Sequence, residues 1–207
     1  MPRESEVTVA AAMGIEAWAV RRRVPGVAVQ RVGIGARDWD GGVATPLVVS
    51  LGLAGGLAAD LSPGTVVVAG SVAHEDGAAV DCDRAFSASL AAASRRLGHP
   101  TAEGAMLTAT GLVTGADRGR WAARGFLAVD MESSFLAGHG AGLAVVRVIL
   151  DTPQHELSPK WEHPWRALLD PRLAREAIWL LPHSRRFALR AADVLAEALR
   201  REVHAQV

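Results

Sequence analysis

A chain of 207 residues with 22 basic and 22 acidic side chains has no overall field to draw it to nucleic acid or to an anionic membrane, and it is long enough to bury one sizeable core. Its single cysteine, Cys82, excludes an intramolecular disulfide, a zinc ribbon and a CxxC redox site. No apolar stretch reaches spanning length, and the acids ahead of the first apolar run do not read as a signal peptide, so a cytoplasmic protein with a small-molecule ligand is expected. Lys160 is the only lysine, and the arginine-rich remainder reads as a coding bias.

In chain order, Val7 to Met13 is a short run of β-branched and small residues, and GIEAWAVRRR after it follows the 3.6-residue period of a helix. Strand-length apolar runs recur as VAVQRVG, PLVVSLG, TVVVAGS, GAMLTAT, FLAVD and AVVRVILD, each bounded by Gly, Pro or Asp. Several are apolar on both faces, as strands covered by helices on two sides must be. Helices are expected over Asp83 to Leu97 behind an Asp cap, Ala116 to Arg124, Met131 to Gly142 and Ser184 to Val203. In the last, Phe187, Ala191, Val194, Leu195, Ala198 and Leu199 form one apolar face. Pro153 to Pro171 is the one long irregular stretch. The alternation predicts an α/β fold, a single domain over residues 1–207 with a central, mostly parallel mixed sheet flanked by helices.

In open α/β sheets ligands bind beyond the carboxyl ends of the strands. That rule selects Met13 to Glu16, Gly33 to Arg37, Gly52 to Gly56, Asp130 to Glu132, and Asp151. Four of these residues are carboxylates in apolar, small-residue surroundings, where charge is costly to hold unless it is paired or used.

The ordered set AAMGIEA (11–17), GIG (33–35), SLGLAGGL (50–57), PGTVVVA (63–69), VDMES (129–133) and VRVILDT (146–152) resembles the nucleoside phosphorylase family, which includes the methylthioadenosine/S-adenosylhomocysteine nucleosidases. The resemblance implies cleavage of the N-glycosidic bond of a nucleoside, most often a purine, by a homodimer. By the same resemblance Asp151 is the proton donor to the leaving base, and Glu132 accepts hydrogen bonds from the ribose hydroxyls. Met131 packs on the sugar, Gly55 lets the backbone approach it, and Glu16 positions an attacking water. No cofactor and no metal are implied, with inorganic phosphate an open co-substrate. The family usually has Ser or Thr where Leu53 stands, so the phosphate or nucleophile site is altered, although Arg37 offers an anion contact. The connection from Gly35 to PLVVSLG and the segment SVAHEDGAAVD are shorter than usual. These trims, GLAGGL, and ILDTP leading into a Trp- and Arg-bearing tail are similar to the hopanoid-associated phosphorylases, which implies a lipid-linked adenosine such as adenosylhopane. Trp161, Trp165, Trp179, Leu180 and Leu181 are then candidates for an apolar lip.

Plainer readings compete with these roles. Asp130, Glu132 and Glu16 also suit the first turns of helices, Asp151 suits a turn before Thr152-Pro153, and the Trp residues suit a core or a subunit contact. His155, Glu156, Glu162 and His163 match no metal-ligand spacing. GIGARD lacks the third glycine of a dinucleotide fingerprint, and no GxSxG elbow is present. The remaining rival is a catalytically silent member of the same fold that binds a nucleoside or serves in assembly.

Overall fold

The computed structural model describes residues 2–138, 141–162 and 170–204. Along the chain these form β1 (Val7–Ala11), α1 (Gly14–Arg23), β2 (Ala28–Arg31), β3 (Leu47–Gly56), β4 (Val66–His74), β5 (Val80–Asp81), α2 (Arg84–Arg96), β6 (Thr101–Thr108), α3 (Ala116–Ala123), β7 (Phe126–Asp130), β8 (Gly142–Asp151) and α4 (Ala174–His204).

The eight strands make one mixed, mostly parallel sheet. β2, β1, β3 and β8 run parallel in succession. β8 then pairs antiparallel with β4, β4 parallel with β6, and β6 parallel with β7. The end of β7 returns antiparallel to Gly55 and Gly56 at the end of β3. Five strands therefore close into a ring, while β1 and β2 extend it as a wing and β5 lies on β4. Ring closure leaves few exposed strand edges to manage.

Alternation sorts the apolar side chains into two layers. Val48, Val67, Ala69, Met106, Ala128, Val145 and Ile149, drawn from all five ring strands, fill one face. Val49, Leu51, Val66, Val146 and Val148 point to the other, where α1, α2 and α4 pack with Val20, Leu90, Phe187 and Leu195. Each fully buried Val, Leu or Phe contributes about 1.5–3 kcal/mol. A smaller cluster holds α3 against β7 through Trp121 and Val129. The apolar face expected of the C-terminal helix is buried along its whole length, and Asp83 caps α2 by accepting the Phe86 N–H at 2.8 Å.

Three expectations are corrected. Gly52 to Gly56 do not lie beyond the end of their strand, because β3 continues through them to Gly56, with its register to β8 shifting between Ala54 and Gly55. The helix expected over Met131 to Gly142 is a 3-10 turn over Ser133–Leu136. Glycines at 138, 140 and 142 carry too little helix propensity to extend it, and Gly138 stands at φ +84°; residues 139 and 140 lie outside the described ones. The last helix begins at Ala174 and runs through Pro182. That proline denies a donor to the Ile178 carbonyl, and Ile178 is 75% exposed, so water can take its place. Among the described residues no helix is long and apolar enough to cross a membrane.

Candidate active site

Glu16 opens the site. It sits in the first turn of α1, where Oε2 accepts the Met13 N–H at 2.8 Å, the half of a capping box that a first-turn acid supplies. Its other oxygen does something a cap does not: Oε1 accepts the Leu53 N–H of β3 at 2.9 Å, and the side chain is 1% exposed. This crossing needs Gly52, because a Cβ there would lie 2.2 Å from Glu16 Oε1 and 2.5 Å from Arg147 Nη1.

Arg147 is the centre of the cluster. It projects from the middle of β8, 1% exposed, and pairs with Asp130 at 2.8 Å and Glu132 at 3.4 Å. It also donates to Ser50 Oγ at 2.7 Å and Ser133 Oγ at 3.2 Å. Burial alone would lower its pKa, but Asp130, Glu132 and Glu16 outweigh burial and raise it. Asp130 orders the chain around it: Oδ1 accepts the N–H groups of Glu132 and Ser133 and the Thr108 hydroxyl, and Oδ2 accepts the Ser133 hydroxyl. Asp130 thus gathers the amides that lead into the 3-10 turn, whose N-cap position is Glu132 and not Asp130, and is an ion-pair partner as well.

Glu132 lies between this cluster and the turn after β2. Its Oε1 accepts the Gly35 N–H at 3.1 Å. Gly33, Gly35 and Ala36 all have φ between +53° and +71°, and a left-handed non-glycine such as Ala36 is an uncommon, strained choice. The strain is found where a backbone amide is aimed at a buried carboxylate. Burial pushes the Glu132 carboxyl up to about 7, with Arg147 opposing and Asp130 and Glu16 adding to the rise. Burial likewise raises Glu16, against Arg147 and the Met13 and Leu53 amides. A carboxylate raised toward neutrality is a better general base at working pH than an exposed one.

Asp151 ends β8, 8% exposed. Its Oδ2 is held by Arg118 of α3, and the Leu157 N–H approaches the same oxygen at 3.4 Å. Arg118, 3% exposed, also donates to the Gly56 carbonyl at 2.7 Å and lies 3.3 Å from Glu156. Oδ1 faces Gly55, where a Cβ would stand 3.1 Å from it. Burial raises the Asp151 pKa, while the Arg118 charge and hydrogen bond and the Leu157 amide pull it down. Gly52 under the first cluster and Gly55 under the second are three residues apart on one strand, a rise of roughly 10 Å.

The profile of the phosphorylase superfamily matches residues 43–168, more than half of the chain. The chain belongs to the phosphorylase superfamily. No curated protein matches it. Among solved structures it is similar to the 5′-methylthioadenosine/S-adenosylhomocysteine nucleosidase of Helicobacter pylori, at 15% identity and TM-score 0.73 over 97% of this chain and 100% of that one. The S-adenosylhomocysteine nucleosidase of Streptococcus pyogenes, complexed with 5-methylthiotubericidin, aligns at 18% identity and TM-score 0.73 over 94% and 96%. The futalosine hydrolase of Helicobacter pylori aligns at 15% and 0.71 over 94% and 97%. These likenesses show that the superfamily's fold is kept along nearly the whole chain.

On that superfamily fold, Glu16, the Leu53 backbone, the Gly35 backbone and Glu132 are brought together, and Asp151 and Gly55 meet beside them. Met131 is half-buried next to Glu132. Leu53 supplies its amide to Glu16 while its side chain is buried in the helix-facing core. Arg37 is exposed just past the Gly33 turn. Of the candidate lip, Trp161 and Leu180 are buried with Leu173 in a satellite core, which corrects their reading as a lip. Trp179 is half-buried, Leu181 is 58% exposed, and Trp165 and His163 lie outside the described residues. Sequence reasoning missed Arg147, Arg118, Ser50 and Ser133. Arg147 had a signal: one cation inside VVRVIL, a run apolar on both faces, demands buried anions.

Proposed function

We propose that this protein hydrolyses the N-glycosidic bond of a 5′-substituted, adenine-type nucleoside. The observation that carries the proposal is the pairing, along one strand end, of three buried carboxylates gathered on Arg147 with a buried acid at Asp151. Breaking the bond builds positive charge on the sugar and negative charge on the base. Glu132 would grip the ribose hydroxyls and favour the cationic sugar. Glu16, fixed by two amides, would orient and deprotonate water. Asp151 would protonate the base through Oδ1, the oxygen that Arg118 leaves uncommitted.

Water is preferred to phosphate on electrostatic grounds. Both guanidiniums in the cluster are already matched by carboxylates, and a phosphate dianion placed there would face further negative charge rather than a free cation. Trp161 and Leu180 are packed in a satellite core, which favours a small 5′ substituent over a lipid chain.

Chromatography of products from a panel of adenine nucleosides, with and without phosphate, tests this reading. Free base and free sugar are expected in equal amounts in both conditions. A sugar 1-phosphate formed only when phosphate is present would replace hydrolysis by phosphorolysis. The Arg118 pair keeps Asp151 in contact with a cation, which favours the silent-binder reading, and ligand binding without any base release would establish it. The same panel reads out Glu132. Its replacement by alanine should shrink the preference for ribosides over 2′-deoxyribosides in kcat/KM by roughly 10- to 100-fold, the value of one or two charged hydrogen bonds. Equal loss on both sugars would remove its ribose role.

A further inference from the structure

Two surface clefts run along α4, and none of the carboxylates described above lines either one. The first, of about 350 Å³, is bordered by Arg186, Arg190, His155 and His183, with Trp179 and Phe187 as its apolar wall. Among the described residues no carboxylate lines it. Arg190 donates to the Gly64 carbonyl, and neither arginine has an ion-pair partner among the described residues. Burial, joined by the like charge of Arg186, lowers the Arg190 guanidinium. Two cations are therefore crowded over the Phe187 ring, 6.0 and 5.7 Å from its centre, with no carboxylate paired to either among the described residues, an arrangement that favours an anion. Trp179 is stacked on His183 at 4.4 Å and tilted against His155 at 4.6 Å, and what remains of it lines the cleft. His183 Nδ1 donates to the Trp179 carbonyl at 2.6 Å, so the ring serves the cleft as part of its wall.

We infer that this cleft binds a phosphate group carried on a small organic moiety, at a site separate from the nucleoside site. Guanidinium forks match tetrahedral oxyanions in geometry as well as charge. A bare ion is too small: at about 30 Å³ per water, the cleft holds roughly ten waters' worth of volume, and its Trp179–Phe187 wall suits the apolar part of a phosphoester. Such a phosphate comes either from a soluble metabolite or from a lipid headgroup. Ile178 and Leu181, 75% and 58% exposed, share the helical stripe of Arg185, which is turned well away from residues 179, 183, 186 and 190, so a soluble phosphoester is the expected source and a headgroup is the other arm of the test.

Calorimetric titration with phenyl phosphate and with inorganic phosphate is the experiment. Phenyl phosphate should bind more tightly than inorganic phosphate. Binding should weaken roughly tenfold in Arg186→Gln, the loss of one charge-assisted contact, and vanish in Arg186→Glu. Arg186 is exposed, so both variants should melt like the parent. Absence of binding, or binding that neither substitution alters, would overturn the site, and equal affinity for the two probes would overturn the organic moiety. Flotation with phosphatidylcholine vesicles, with and without phosphatidylglycerol, separates the sources. Attachment that requires phosphatidylglycerol and is lost in Leu181→Ser identifies the headgroup, and its absence beside phenyl phosphate binding identifies a soluble phosphoester.

Discussion

Asp151→Asn is expected to lower base release by roughly 10²- to 10⁴-fold, the range that a positioned proton donor supplies, in a protein that still folds. Asparagine keeps the oxygen that accepts from Arg118 and a shape close to the carboxyl, but it has no proton to give. The stability cost should be modest for a buried ion-pair site. Arg118 retains the Gly56 carbonyl at 2.7 Å and Glu156 at 3.3 Å, so its charge is not left alone. The buried position is what gives the wild-type residue its use. Burial raises its pKa and Arg118 lowers it, with burial prevailing, so the carboxyl holds its proton more firmly than an exposed aspartate does. A melting curve near that of the parent together with a collapse in kcat is the expected pair of results. A fully active variant would remove Asp151 from the chemistry.

The same residue shows how far the sequence could be read. Asp151 was legible because it ends an apolar run at a sheet rim, and β7 and α1 fell where FLAVD and GIEAWAVRRR place them. Both have sharp boundaries, an Asp in one case and a Gly followed by a basic last turn in the other. Its partner was not legible. Arg118 lies on a short, arginine-bearing helix whose local pattern is that of a solvated face, and only the docking of α3 on β7 through Trp121 turns it inward. Ring closure was hidden for a related reason. The antiparallel contacts of β8 with β4 and of β7 with β3 are set by strand twist and by the register shift at Gly55, and neither leaves a mark in hydrophobic periodicity. Glu16 was ambiguous in sequence because it holds two positions at once, first-turn cap and ligand of the Leu53 amide.

Arg147→Met should have the largest effect on stability. Methionine fits the volume but leaves Asp130, Glu132 and Glu16 buried without their common cation, and breaking a buried pair in this way costs about 3–5 kcal/mol. Against a total of about 5–15 kcal/mol that is a large fraction, and for a chain of this size it corresponds to a fall in Tm of roughly 10 °C. The loss should depend on pH with a definite sign. Glu132 is raised from 4.5 to about 7 in the folded protein, and Glu16 is raised as well. The folded state therefore holds protons that the unfolded chain releases above 4.5. The stability gained from those protons is complete below 4.5 and is lost as pH rises through the folded values. Arg147 opposes both rises, so its removal lifts them further and extends the decline to higher pH. Parent and variant should thus differ least near pH 5, where the carboxyls can neutralise themselves, and most near pH 8. Denaturant titration of both proteins at the two pH values measures the gap. A gap of equal size at both would mean that the buried carboxylates do not depend on Arg147, and the electrostatic account of the site would fail with it.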